Sequence, residues 1–186
     1  MVSPIINFAL RGLQALFAIV VLGLSVTLIR GHHWGSLPAS LGFAAFVGGI
    51  TFLAALVGLA AGWFEILGGI VGLVVDGVVA LINIACGVLF AIKLGGVDCN
   101  NVDDLDNVKK LVNNEWFNGG CRKLGDGEKY CWTNVHYGGN DDGKKLADVY
   151  SGHCKEAQAD TVFMFLTAVV LLVCGVMVWL RMKNGH

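Results

Sequence analysis

Four apolar stretches, separated by polar connections of very unequal length, set the pattern of this chain. Residues 5–29 carry a single charge, Arg11; residues 41–61 carry none; residues 66–92 carry one, Asp76; residues 161–180 carry none. A helix that spans a bilayer needs about 20 apolar residues to cross a hydrocarbon core of roughly 30 Å. Each stretch is long enough, so the pattern predicts four transmembrane helices. The first exceeds the usual length of a signal-peptide core and is read as an uncleaved span.

The connections divide the chain. "RGHHWGSLPAS" (30–40) is a short turn with Trp34 at headgroup level, and "GWFE" (62–65) is little more than a hairpin with Trp63 and Phe64. Only residues 95–160 have room to fold. The predicted organisation is therefore 1–94 for helices one to three, 95–160 for a loop subdomain, and 161–186 for helix four and a short tail. The fold class is an all-α membrane protein: a four-transmembrane-helix bundle with a disulfide-stapled extracellular loop subdomain between helices three and four.

Composition sharpens the picture in one respect. Charged residues make up 15% of the chain, against roughly 25% in soluble domains. With a net charge of −1 and no basic run, a nucleic-acid partner is excluded. Four spans put both termini on one side. Arg11, Arg181 and Lys183 face a single Arg30 in the first turn, so the positive-inside rule places the termini in the cytosol and residues 95–160 on the opposite, extracellular side.

Within the long segment, residues 103–117 have Leu105, Val108, Leu111 and Val112 at helical spacing and predict an amphipathic helix. Residues 129–137, rich in aromatic and β-favouring side chains, predict a short strand, and residues 143–160 wind into the top of helix four. Four cysteines, Cys99, Cys121, Cys131 and Cys154, lie here in what topology makes an oxidising compartment. Three connectivities are open. Position favours Cys99 with Cys154, at the two feet of the loop, and Cys121 with Cys131. A zinc site with His136 or His153 is disfavoured, because no C-x-x-C pair is present. No metal or cofactor is expected.

Asp76 is the residue with most at stake, since a carboxylate inside a membrane helix is costly and demands a partner. The structural reading is a polar cluster of Arg11, Gln14, Asp76 and Asn83; the alternatives are a protonated Asp76 bonded to a backbone or hydroxyl partner, and a titrating group in a transport path. Inverted repeats and paired broken helices, which mark transporters, are not found in the sequence. Gly68 and Gly72, with Ala44 and Gly48, place small residues at four-residue spacing, a helix-packing pattern within the bundle or between copies. His32 and His33 read as solvated turn residues, "NDDG" (140–143) as a turn and not a calcium loop, and Ser151 with His153 lacks a third partner for catalysis.

"ALRGLQALFAIVVLGLSVTLIRG" (9–31), the acid in "LVVDGVVALINIACG", and "DCNN" with "HCKEAQA" flanking the last loop resemble fungal MARVEL-domain proteins of the eisosome-associated and non-conventional export type. That resemblance implies an M-shaped bundle with cytosolic termini. It implies Arg11, Gln14 and Asp76 as bundle-core positions and Cys99 with Cys154 as the loop staple. The loop is larger than in the simplest members, which points to a protein contact. Tetraspanins carry a Cys-Cys-Gly motif where this chain has only "GGC" (119–121), and claudin-like proteins put the large loop first.

The function expected is non-enzymatic: a membrane organiser that associates with lipids, sterol or sphingolipid among the candidates, and forms homo-oligomers or binds a partner membrane protein. The alternatives are a small transporter or channel using Asp76, and an accessory subunit of a larger complex.

Overall fold

A computed structural model of the chain describes residues 4–60, 69–125, 127–138 and 143–184. Four helices are long and apolar enough to cross a membrane: α1 (Pro4–Arg30), α2 (Ala39–Ala60), α3 (Ile70–Leu94) and α6 (Gly143–Asn184). Between α3 and α6 lie α4 (Leu105–Asn113), an antiparallel pair β1 (Cys121–Lys123) and β2 (Lys129–Cys131), and α5 (Trp132–Tyr137). The protein is a multi-pass membrane bundle with a disulfide-bonded subdomain between its third and fourth spans. The expected hairpin of residues 62–65, Gly68, and residues 140–142 of the expected turn lie outside the described residues.

Each span buries a narrow seam and turns the rest outward, as lipid permits. Ile70, Leu81 and Ile92 of α3 are 70%, 68% and 70% exposed, while Val79, Ala80, Cys86 and Phe90 on the other side are buried. α3 packs most extensively on α6, and α1 lies against both α2 and α6. Val21, Leu28, Leu41, Val47, Phe90 and Met164 form a core that runs without a break into Leu111, Phe117 and Tyr150 of the subdomain. Residues 95–160 are thus a cap that shares the bundle's core.

Over residues 143–160 the cap follows the sequence expectation: at 42 residues α6 is about 63 Å long at 1.5 Å per residue, twice a hydrocarbon core, so its first turns rise out of the bundle into the cap. Elsewhere the cap departs from it. The strand expected over 129–137 stops at Cys131 and α5 follows at once. There the Trp132 N–H donates to the Gly120 carbonyl, the Thr133 N–H to that of Asn118 and the Thr133 hydroxyl to that of Phe117, turning the chain inward. The helix expected to reach 117 ends at Asn113. Asn114 accepts from the Trp116 N–H and donates to the Lys93 carbonyl, both non-helical bonds. Leu105, assigned to the apolar face, is 84% exposed; Leu111 and Asn107 are the buried residues.

Candidate functional site

The charged centre of the bundle forms where three spans meet. Arg11 of α1 donates from Nη1 to Asp76 Oδ1 at 2.6 Å and from Nη2 to Asp76 Oδ2 at 2.5 Å. This fork-to-fork geometry is the strongest an Arg–carboxylate pair can adopt. Both residues are buried, Arg11 at 4% and Asp76 at 2% exposure. Arg11 Nη1 also donates to Gln14 Oε1 at 2.9 Å. Gln14 Nε2 reaches the Thr51 carbonyl of α2 at 3.5 Å, and Asn83 of α3 donates to the Thr51 hydroxyl at 2.8 Å and to the Val79 carbonyl at 2.9 Å.

The result is a continuous ladder: Asp76, Arg11, Gln14, Thr51, Asn83. It leaves α3, passes through α1 and α2, and returns to α3 two turns further on, so it ties three helices with side chains that lipid alone would penalise. The structure brings Arg11, Gln14, Asp76 and Asn83 into this one network.

A residue that the sequence did not single out makes the ladder fit. A Cβ at Gly58 of α2 would lie 2.5 Å from Arg11 Nε and 2.7 Å from its Cζ. Arg11 crosses α2 over the bare glycine backbone, with Nε against it and without a hydrogen-bond partner among the described residues. Gly48 performs a like service one level up: a Cβ there would fall 2.8 Å from the Leu22 backbone nitrogen of α1. Gly72 is half-buried on α3.

A second polar seam joins α1 to α6 nearer the cap. The Ser25 hydroxyl donates to Asp160 Oδ2 at 2.8 Å, and the Thr27 hydroxyl reaches Glu156 at 3.3 Å. Asp160 is fully buried, and its Oδ1 has no partner among the described residues. Sequence reading missed it because it stands one residue before the apolar run, where an acid looks like a solvated border.

In the cap, Cys99 is bonded to Cys154 and Cys121 to Cys131, while Cys86 and Cys174 are buried free thiols. The first bridge joins the feet of the cap and the second closes the β1–β2 hairpin. The Gly-Gly before Cys121 is a docking point. Gly119 and Gly120 have φ of +70° and +84°, and a Cβ on Gly120 would collide with the Trp34 carbonyl. The Gly119 carbonyl accepts from the N–H groups of His33 and Trp34, at 2.8 and 3.1 Å. Only glycine combines this backbone with so close an approach.

The first turn is thereby tied to the cap; His33 stays exposed, as the sequence suggested, whereas His32 is half-buried. His33 packs on Trp132 with ring centroids 4.5 Å apart, and His136 stacks on the same indole at 5.0 Å. Both His32 ring nitrogens are buried without partners among the described residues. Arg122 sits 4.0 Å over the Trp34 ring. Elsewhere in the cap Trp116 packs at a tilt on Phe90, with ring centroids 4.3 Å apart, and donates its indole N–H to Ser40 at 3.0 Å.

Ser151 and His153, which the sequence raised as candidates for chemistry, are engaged with the protein's own backbone. The Ser151 hydroxyl donates a hydrogen bond to the Cys99 carbonyl at 2.7 Å, and His153 Nδ1 lies near the Phe117 carbonyl at 3.4 Å. Burial pushes the Tyr150 phenol up to about 12, and its hydroxyl donates to Asn134 at 2.6 Å. Among the described residues no group of three His, Cys, Asp or Glu is placed to hold a metal ion.

No curated protein and no solved structure matches the chain. The MARVEL family model, described as a membrane-associating domain, matches residues 4–176, which take in the cap and all but the end of the last span. On that match, and with a bundle of four membrane-length helices, the chain belongs to the MARVEL family of membrane-associating proteins.

Proposed function

We propose that the protein is a non-enzymatic organiser of plasma-membrane domains, which self-associates through lateral helix packing and presents its cap for contacts outside the cell. On this reading the termini are cytosolic, residues 95–160 are extracellular, and the chain is of the fungal eisosome-associated and export type. Membrane lipids, with sterol or sphingolipid among them, and a second copy or partner membrane protein are its ligands.

The observation that carries the reading is how the bundle uses its buried polar groups. Asp76 has both oxygens engaged by Arg11 of another helix, Arg11 is braced by Gln14 on its own helix, and Gln14 and Asn83 both reach across to Thr51 of α2. Such a network fixes a scaffold and leaves large apolar faces for neighbours. A titrating carrier would need an acid that exchanges its partner.

Extraction of the protein with its native lipid into polymer-bounded discs, followed by mass measurement, tests the reading. Discrete oligomers or a stable partner complex are expected. A solitary protomer that binds neither lipid nor partner would end it. In liposomes Asp76→Asn is expected to alter folding and not a flux; loss of an ion or proton flux with the fold intact would establish the transport alternative.

A further inference from the structure

At the end of the bundle where α6 terminates, the seam between α3 and α6 opens into a groove of about 280 Å³. Leu73, Asp76 and Gly77 form one wall, and Leu171, Gly175 and Trp179 contribute to the other. Its volume is about twice that of an apolar cavity of ~150 Å³ known to take up benzene. The groove exists because Gly77 projects no side chain; a Cβ there would meet nothing within 4 Å. Its one ionisable wall residue, Asp76, is already neutralised by Arg11.

The mouth has a different character. Trp179 is 50% exposed, and Lys183, one turn on, places Nζ 5.4 Å from its ring centroid. Arg181 and Lys183 are both exposed, and no acidic residue occurs after Asp160. An aromatic with basic neighbours marks the headgroup level. From Trp179 back to Leu171 the groove runs about 12 Å along α6 at 1.5 Å per residue.

We propose that this groove holds one acyl chain of an anionic glycerophospholipid, with phosphatidylserine as its chemistry, whose headgroup is bound by Lys183 and Arg181. Three features select this occupant. The walls are apolar and face hydrocarbon, the mouth is cationic, and the two are continuous through Trp179. A second copy docked in parallel on the same groove would bring two basic tails to one level and repel itself. A sterol would fill the walls but bring no charge to Lys183. The physiological setting rests on the proposed orientation, because the anionic leaflet is the cytosolic one.

The test uses the full-length protein, disulfides intact, in phosphatidylcholine vesicles. A trace of phosphatidylserine or phosphatidylcholine carrying a diazirine on one acyl chain is added, and after photolysis the adducts are mapped by mass spectrometry. The expected result is adducts concentrated on residues 73–77 and 171–179, with phosphatidylserine favoured roughly thirty-fold, as two juxtamembrane cations imply. Arg181→Gln with Lys183→Gln should abolish that preference while leaving the adducts in place. Gly77→Leu should remove the groove adducts of both lipids, with both disulfides still formed.

Equal labelling by the two lipids in the unaltered protein would overturn the proposal, as would adducts spread over all outward helix faces. So would inter-chain α3–α6 cross-links in place of lipid adducts, which would make the groove a contact between copies. If Gly77→Leu fails to form its disulfides, the tail substitutions decide alone. The vesicles are symmetric and oligomer mass is measured separately, so failure here leaves the proposed orientation and self-association standing or falling on their own evidence.

Discussion

The bundle and the cap solve the same problem, holding helices and turns in one arrangement, by opposite means. In the bundle the solvent is lipid, apolar side chains gain little by leaving it, and order comes from a few buried polar groups and from glycines that let backbones touch. Arg11, Asp76 and Gly58 are the clearest cases. In the cap the solvent is water, the chain segments are short, and two disulfides with a set of buried aromatic side chains supply the order. A short segment outside the membrane that cannot build a large core of its own is a setting in which covalent cross-links matter most. The comparison teaches that the same residue type carries different meaning on the two sides. A cysteine in the cap is a staple, whereas Cys86 and Cys174 in the bundle are small buried side chains.

The largest effect expected from breaking this contrast lies in the bundle. Asp76→Ala strands the Arg11 guanidinium in a buried site and should cost about 3–5 kcal/mol, the range for breaking a buried pair. Thermal unfolding of the purified protein in mild detergent checks it. Cys99→Ser comes next. The bridge spans 55 residues, for which the chain-entropy account gives about 4 kcal/mol, most of it lost locally from the cap. Limited proteolysis should then cut residues 95–160 while the four spans remain protected; equal protection with and without the bridge would contradict it.

A smaller effect sharpens the comparison within the bundle. Gly58→Ala should displace Arg11 from Asp76 and cost about 1–3 kcal/mol through overpacking. Gly77→Ala, on the open side of α3, should cost a few tenths at most, or stabilise, because alanine favours the helix. Melting temperatures of the pair measured side by side give the difference directly. The smallest effect is at the border. Ser40→Ala removes the acceptor of the Trp116 indole and should cost about 1 kcal/mol, read as raised hydrogen exchange in the cap.

How much of this is legible in the sequence follows the same division. Spans are readable because lipid demands long apolar runs, and a lone charge in such a run, Arg11 or Asp76, asks for a partner across the bilayer interior. Gly58 is not readable. Glycine is common in membrane helices, and its meaning depends on which neighbour crosses it. Asp160 escapes for a related reason: its burial is set by Ser25 on another helix, and its own sequence neighbourhood looks like a border. In the cap, local propensity misleads. Residues 132–137 are β-favouring by composition yet helical, because Gly120, Asn118 and Phe117 supply acceptors that turn the chain at Cys131. The exposure of Leu105 is likewise set by docking, since Asn107 fills its buried place by donating to the Asp98 and Asn101 carbonyls.

The most direct test of the central claim, that the intramembrane charges are a structural tie, is a double-mutant cycle on Arg11 and Asp76. Unfolding and proton flux are measured on the same proteoliposome preparations of Arg11→Leu, Asp76→Leu and the double variant. The account predicts that each single variant is strongly destabilised, that the double variant recovers most of the loss, and that flux stays at background throughout. Single variants that fold normally while abolishing a flux seen in the unaltered protein would contradict it.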